Sequence, residues 1–113
     1  MILEKGDLSG PIPSEWGTLT ELLVFDMDFN ILTGPIPSYI YSFTDLLTFD
    51  VDGNELSGSL ESEIGNLGSL GFLQLDYNKF TGSLPSELGN LSSLSKFRFC
   101  LNCFIVFDLS ILF

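Results

Sequence analysis

The segment LGSLGFLQLDYNKFTGSLPSELG, residues 67–89, is one complete unit of a pattern that recurs along the sequence. Within this unit, regularly spaced leucines are followed by Asn78, then by Gly82 and Pro85. The asparagine returns every 24 residues, and so does the glycine. The asparagines are Asn30, Asn54, Asn78 and Asn102, and the glycines are Gly10, Gly34, Gly58 and Gly82. A fixed period of this length predicts a fold of stacked repeats.

Each repeat contains a short run in which apolar residues alternate with other residues. The four runs are Phe25-x-Met27, Phe49-x-Val51, Leu73-x-Leu75 and Phe97-x-Phe99. This alternation predicts half-buried strands. Because all repeats run in the same direction, neighbouring strands must pair in parallel, about 4.8 Å apart. A single unit cannot bury its apolar face alone, so the repeats must stack to form a core.

The complete unit resembles the plant-type leucine-rich repeat, LxxLxxLxLxxNxLxGxIPxxLGx. The units begin at Leu19, Phe43, Leu67 and Leu91, after a partial first unit. The resemblance implies an α/β fold: a right-handed leucine-rich-repeat solenoid with a parallel concave β-sheet and short helical turns on the convex side. The repeats are expected to fill residues 1–104. The apolar tail at 105–113 is interpreted either as an improvised cap or as an accident of truncation.

The repeated asparagines are expected to be structural. In the family, this side chain bonds loop backbone groups of its own and the adjacent turn and so forms a ladder. We therefore expect Asn54 and Asn78 to be buried. Pro13, Pro37 and Pro85 lack the backbone N–H and are expected to set the exit of a second, short extended segment in their repeats. Glu61 stands where the next proline is expected, and this departure predicts one loosened turn.

Composition excludes several classes of function. Fifteen acidic residues face four basic ones in 113 residues, giving a net charge of −11, and this balance excludes nucleic acid as a partner. Histidine is absent, and the sequence has no nucleophile–base pair, metal constellation or phosphate loop. We therefore expect neither an enzyme nor a cofactor.

The residues between the core-facing positions are expected to lie on the concave surface, where this family usually binds ligands. One column reads Glu4, Asp28, Asp52, Asp76 and Cys100, and its neighbour reads Asp26, Asp50, Gln74 and Arg98. Phe29, Phe72 and Tyr77 are expected beside these columns. The candidate ligand-binding residues are Asp26, Asp28, Asp50, Asp52, Phe72, Gln74, Asp76 and Tyr77.

The acidic columns have two interpretations. Either water and salt screen the charges, or the columns form a diffuse cation site or a docking stripe for a basic peptide. Repulsion between neighbouring strands predicts that the pKa values of Asp28 and Asp52 are raised. The aromatic residues fit either peptide or sugar contact or packing between turns.

Three further features are weaker signals. Trp16 falls on a convex, core-facing position and is interpreted as structural. Asn90, in Asn90-Leu91-Ser92, is a candidate for glycosylation if the chain enters the secretory route. Cys100 and Cys103 form either a small disulfide or two inert thiols.

The resemblance implies a non-enzymatic recognition module that binds a protein, a peptide or a glycan through its concave face. It also implies an extracellular or cell-surface location, as a fragment of a receptor-like or secreted protein. The sequence itself contains no signal peptide or membrane span, so membrane attachment would require further segments. The alternatives are a structural or adhesive element that binds cations or a surface through the acidic ladder, and a remnant without independent function.

Overall fold

The computed structural model describes residues 1–3, 6–100 and 102–105, the last three by their backbone alone. The strands are β1 (Ser9–Pro11), β2 (Val24–Asp26), β3 (Ile31–Gly34), β4 (Thr48–Asp50), β5 (Glu55–Leu56), β6 (Phe72–Gln74), β7 (Thr81–Ser83), β8 (Lys96–Arg98) and β9 (Cys103–Ile105). Four 3-10 helical turns lie between them, at Ser14–Thr18, Ser38–Ser42, Ser62–Asn66 and Ser86–Asn90. The elements form a leucine-rich-repeat solenoid, as the sequence predicts.

The concave sheet has the order β2-β4-β6-β8, and all its pairs are parallel. Its register follows the sequence period, because Val24 pairs with Thr48, Thr48 with Phe72, and Phe72 with Lys96. In the same register, the side chains of Phe25, Phe49 and Leu73 point inward and are at most 1% exposed. The alternation that predicted these strands therefore sets which residues build the core.

A second set of short parallel strands runs along another side of the solenoid. It contains β1-β3-β5 and β7-β9, with a single bridge between Ser59 and Thr81 joining the two groups. Here the paired residues are 22 positions apart, as in Gly10 with Leu32 and Gly34 with Leu56. This separation is two residues shorter than the sequence period of 24. Because side chains alternate between faces with a period of two, each side chain stays on the same face of its strand.

The convex side consists of the 3-10 turns, each of five residues. The loosened turn expected after Glu61 is not found, because Ser62–Asn66 matches the other turns in length. Glu61 keeps the extended conformation of the prolines (φ −81°, ψ 157°). Its backbone N–H, which proline lacks, donates to the buried Tyr41 hydroxyl at 3.3 Å. The extra N–H donor therefore has a hydrogen-bond partner and does not disrupt the turn.

The core is continuous through the stacked repeats and rich in aromatic contacts. The rings of Phe25 and Phe49 lie 5.2 Å apart in adjacent repeats. Trp16 is half-buried and meets Phe25 edge-on at 5.9 Å, which supports its structural interpretation. Beyond Ile105, the apolar tail lies outside the described residues, and so does its expected role as a cap.

The asparagine ladder is present in the structure. Asn78 is 8% exposed, and its Nδ2 donates to the carbonyl oxygens of Val51 (2.9 Å), Leu75 (3.3 Å) and Asp76 (3.1 Å). Its Oδ1 accepts the N–H of Leu56 at 2.9 Å. The same scheme holds at Asn30, Asn54 and Asn102. Each amide thus joins its own strand exit to the preceding repeat.

We expect Asn78→Ala to lower the free energy of unfolding by about 1 to 3 kcal/mol, because it leaves buried backbone groups without partners. Asn66→Ala is the matched control, since Asn66 is exposed at the end of a 3-10 turn. Urea denaturation of both variants measures the difference. Coincident unfolding curves for Asn78→Ala and the wild-type chain would contradict a stabilising ladder.

Candidate functional site

The outward side of the concave sheet carries one row of residues in direct register. This row crosses all four strands as Asp26, Asp50, Gln74 and Arg98. The neighbouring row, at the strand ends, contains Asp28, Asp52, Asp76 and Cys100. Glu4, the first residue expected in this second row, lies outside the described residues. The strands thus bring the predicted residues onto one face, but the side chains differ in accessibility.

Asp50 is buried, which the sequence did not predict. It is 8% exposed, and its Oδ2 accepts a hydrogen bond from Gln74 Nε2 at 2.6 Å. Its Oδ1 accepts the backbone N–H of Asp52 at 3.1 Å. Burial raises the pKa of Asp50 to about 6, and the charges of Asp52 and Asp26 add to the increase, while the Asp52 N–H opposes it. This carboxyl group is held by its neighbours and is not offered to a ligand.

Asp76 is also buried, with 0% exposure. Its Oδ2 lies 2.7 Å from Arg98 Nε, and its Oδ1 accepts the backbone N–H of Cys100 at 2.7 Å. The expectation that Asp76 faces a ligand is therefore wrong. Arg98 supplies the charge that compensates the buried carboxylate, and the pair joins the third strand of the sheet to the fourth.

The accessible acidic residues lie at the other end of the sheet. Asp26, Asp28 and Asp52 are half-buried, and Asp26 Oδ1 accepts the N–H of Asp28 at 3.2 Å. The pKa of Asp52 is raised, chiefly by burial, and a hydrogen bond with the Asp50 side chain opposes the increase. The charges of Asp28 and Asp76 add to the increase, while Arg98 lowers the pKa. The predicted direction for Asp52 is confirmed. Its main cause, however, is burial and not the repulsion that the sequence suggested.

Exposed aromatic residues accompany these acids. Phe72 is 45% exposed on the concave strand β6, between Thr48 and Lys96 in register. Phe29 and Tyr77, just beyond the strand ends, are 49% and 53% exposed. The predicted aromatics are thus all exposed, on or just beyond the strands that carry the acidic row.

Phe29 and Tyr77 share an unusual backbone conformation with Gly53, which occupies the same position in the repeat between them. Their φ angles are +50°, +55° and +65° respectively. A Cβ added to Gly53 would lie 2.6 Å from a carbon of the Phe29 ring. The ring of Phe29 therefore lies over Gly53. In the sequence, the signal for this contact is that glycine stands at position 53, where the repeats on either side have Phe29 and Tyr77.

The remaining predicted sites are less distinctive in the structure. Across the described residues, no three acidic or cysteine side chains come together in a way that could hold a metal ion. Cys100 is an exposed free thiol, and the side chain of Cys103 is not among those described. Asn90 is exposed at the end of a convex 3-10 turn. Within the described ranges, no helix is long and apolar enough to cross a membrane.

Comparison with known proteins gives one family and a set of similar structures. Residues 45–67 and 69–91 match the model of the family described as Leucine Rich Repeat. No curated protein sequence matches the chain. Among solved structures, the chain is similar to the leucine-rich-repeat ectodomain of the Arabidopsis thaliana membrane receptor kinase GASSHO1/SCHENGEN3, solved with CASPARIAN STRIP INTEGRITY FACTOR 2. The identity is 42% and the TM-score 0.88, over 91% of this chain and 12% of that one.

Two further Arabidopsis structures are similar over almost the whole chain. The BIR3–SERK2 complex matches with 35% identity and a TM-score of 0.88, over 92% of this chain and 56% of that one. The receptor kinase HAESA ectodomain, solved with a peptide hormone IDA ligand, matches with 31% identity and a TM-score of 0.87, over 91% of this chain and 17% of that one. The chain therefore spans between 12% and 56% of the length of these three structures.

The raised pKa of Asp50 predicts a pH-dependent penalty on folding. Between about pH 4 and pH 6 the folded chain holds this proton more tightly than the unfolded chain, so stability falls as pH rises through that window. The penalty is fully present above pH 6. We expect Asp50→Asn, with the Gln74 amide turned to match, to raise the free energy of unfolding at pH 7 by about 1 to 2 kcal/mol. At pH 3.5 the gain should shrink towards zero.

Urea denaturation at pH 3.5, 5 and 7 tests this pH dependence. Asp45→Asn is the control, because it removes an exposed carboxylate away from the concave sheet. If Asp50→Asn is instead less stable than the wild-type chain at pH 7, the hydrogen bonds accepted by the carboxylate outweigh the cost of burying it.

The contact between Phe29 and Gly53 makes a second prediction. Gly53→Ala should lower the free energy of unfolding by about 1 to 2 kcal/mol, because the residue has positive φ and the new methyl group meets the ring. Gly68→Ala is the control, since a Cβ there meets nothing within 4 Å. Thermal denaturation of the two variants compares them. Equal melting temperatures would show that Phe29 moves aside freely.

Proposed function

The chain belongs to the plant-type leucine-rich-repeat family, and on that premise we propose that it is a non-enzymatic recognition module for an extended peptide segment of a partner protein. The segment lies across the outward side of the concave sheet. The module works outside the cell or at its surface, as part of a receptor-like or secreted protein. A glycan is the second ligand class that such a surface accommodates.

The observation that carries this proposal is the exposure of Phe72 in the middle of the concave sheet. Nearly half of this large apolar side chain faces water on a backbone that parallel pairing holds rigid on both sides. Aromatic side chains on such a preorganised surface are the residues that contribute most to binding energy when a partner excludes water from them. Leu47 adds a further exposed apolar side chain beside β4.

The comparisons support the same class of function. GASSHO1/SCHENGEN3 and HAESA were solved with CASPARIAN STRIP INTEGRITY FACTOR 2 and with IDA peptide, and BIR3 with SERK2. These structures are leucine-rich-repeat ectodomains or complexes that resemble the chain over more than nine-tenths of its length. A continuous acidic ladder for cations is less favoured, because Asp50 and Asp76 are turned into the protein.

Selection from a phage-displayed library of random 12-residue peptides tests the proposal. Peptides that bind the wild-type chain should bind Phe72→Ser at least about tenfold more weakly, as expected for a central aromatic contact. Ile31→Ser is the control, because it removes an equally exposed apolar side chain from the second sheet. If selected peptides bind Phe72→Ser as well as Ile31→Ser, the concave sheet is not the binding surface.

A further inference from the structure

The concave sheet is electrically polarised along the solenoid. In the row that crosses the strands, two aspartates at β2 and β4 give way to Gln74 at β6 and Arg98 at β8. The adjacent row changes in the same sense, from Val24 and Thr48 to Phe72 and Lys96. The sheet therefore offers a negative end, an apolar middle and a positive end. A ligand on this sheet therefore meets a different charge beside β2 and β4 than beside β8.

The negative end is not neutralised by the cations that the structure describes. Lys79 pairs with Glu55 on the second sheet, and Arg98 pairs with the buried Asp76. Among the described residues, no lysine or arginine forms an ion pair with Asp26 or Asp52. The Asp52 carboxyl group shares a hydrogen bond with the Asp50 side chain, while its buried Oδ1 has no partner within hydrogen-bond distance there. We call the half-buried residues Asp26 and Asp52 the acidic end.

An exposed aromatic side chain, that of Phe29, lies beside the acidic end. The N–H of Phe29 donates to the carbonyl oxygen of Asp52 at 2.9 Å, and the Phe29 ring lies over Gly53, the residue that follows Asp52. Tyr77 stands exposed at the equivalent position of the next repeat. Both aromatic residues are held at positive φ, a conformation that costs about 1 kcal/mol or more for a bulky side chain. An aromatic face next to carboxylates is the environment that a lysine or arginine side chain prefers.

Resting on the proposed function, we propose that the peptide recognised by the concave sheet carries a lysine or arginine that docks at the acidic end, beside the Phe29 ring. The same peptide carries an apolar residue that docks on Phe72. At the other end Lys96 repels a basic residue, since Arg98 is already paired with Asp76, so the charge gradient favours one direction of the peptide.

The strand geometry sets the separation of the two anchors. Phe72 is in register with Thr48, so Asp52 lies one strand to the side and four residues further along. At about 4.8 Å between strands and about 3.4 Å per residue, the diagonal is about 14 Å, or about four residues of an extended peptide. Side chains four apart in an extended chain point to the same face. The recognised motif is therefore a basic residue and an apolar residue four positions apart.

The test uses the random 12-residue library on three forms of the full chain. The first is wild type, and the second is Asp26→Asn/Asp52→Asn, which neutralises the acidic end while keeping an oxygen to accept the Asp28 N–H. The third is Asp7→Asn/Asp45→Asn, a control with the same loss of charge at exposed positions outside the concave sheet. Circular dichroism and thermal denaturation establish that all three forms are folded before affinities are compared.

We expect the peptides selected on wild type to share the basic and apolar pair at a separation of four. Their affinity should fall about threefold to tenfold on the neutralised form and stay unchanged on the control form, with a difference that diminishes in high salt. Peptides that depend on Phe72 but bind the neutralised form equally well would overturn this inference and leave the proposed function standing. Selection of no peptide that depends on Phe72 would overturn both.

Discussion

The hydrogen bonds of the repeated asparagines are the interaction on which the rest of the fold depends. In the part of the chain that the structure describes, the elements are 3-10 turns and strands of two to four residues, so no single element is stable alone. The Asn54 amide bonds the carbonyl oxygens of Val51 and Asp52 in its own repeat and that of Met27 in the preceding one. Each rung therefore fixes one strand exit and its distance from the previous repeat at the same time.

The ladder also accounts for the register of the second sheet. The Oδ1 of Asn54 accepts the N–H of Leu32, 22 residues earlier, and Asn78 accepts the N–H of Leu56 in the same way. The strands that follow these asparagines pair with that same separation of 22 residues, whereas the concave strands keep the sequence period of 24. One type of side chain thus connects two sheets whose registers differ by two residues.

On this scaffold, chemically similar residues acquire different roles through their neighbours. Asp76 is buried because Arg98 stands on the next strand, and Asp50 is buried because Gln74 does. Asp26 and Asp52 lack such a partner among the described residues and remain partly exposed. The charge gradient follows from this change along the row. This gradient makes the two ends of the concave surface electrostatically different, which a perfectly repetitive sequence could not do.

The sequence by itself determined the repeat length, the parallel pairing, the core positions and the ladder. Each depends on contacts that recur at a fixed spacing, so periodicity reveals them. The sequence also placed Asp26, Asp52 and Phe72 on one face. Only the tertiary structure decided the two-residue stagger of the second sheet, the burial of Asp50 and Asp76, and the contact of Phe29 with Gly53. These features depend on the identity and length of the side chain on the adjacent strand. The repeat period does not reveal them, because it assigns the same position to every residue of a column whatever its type.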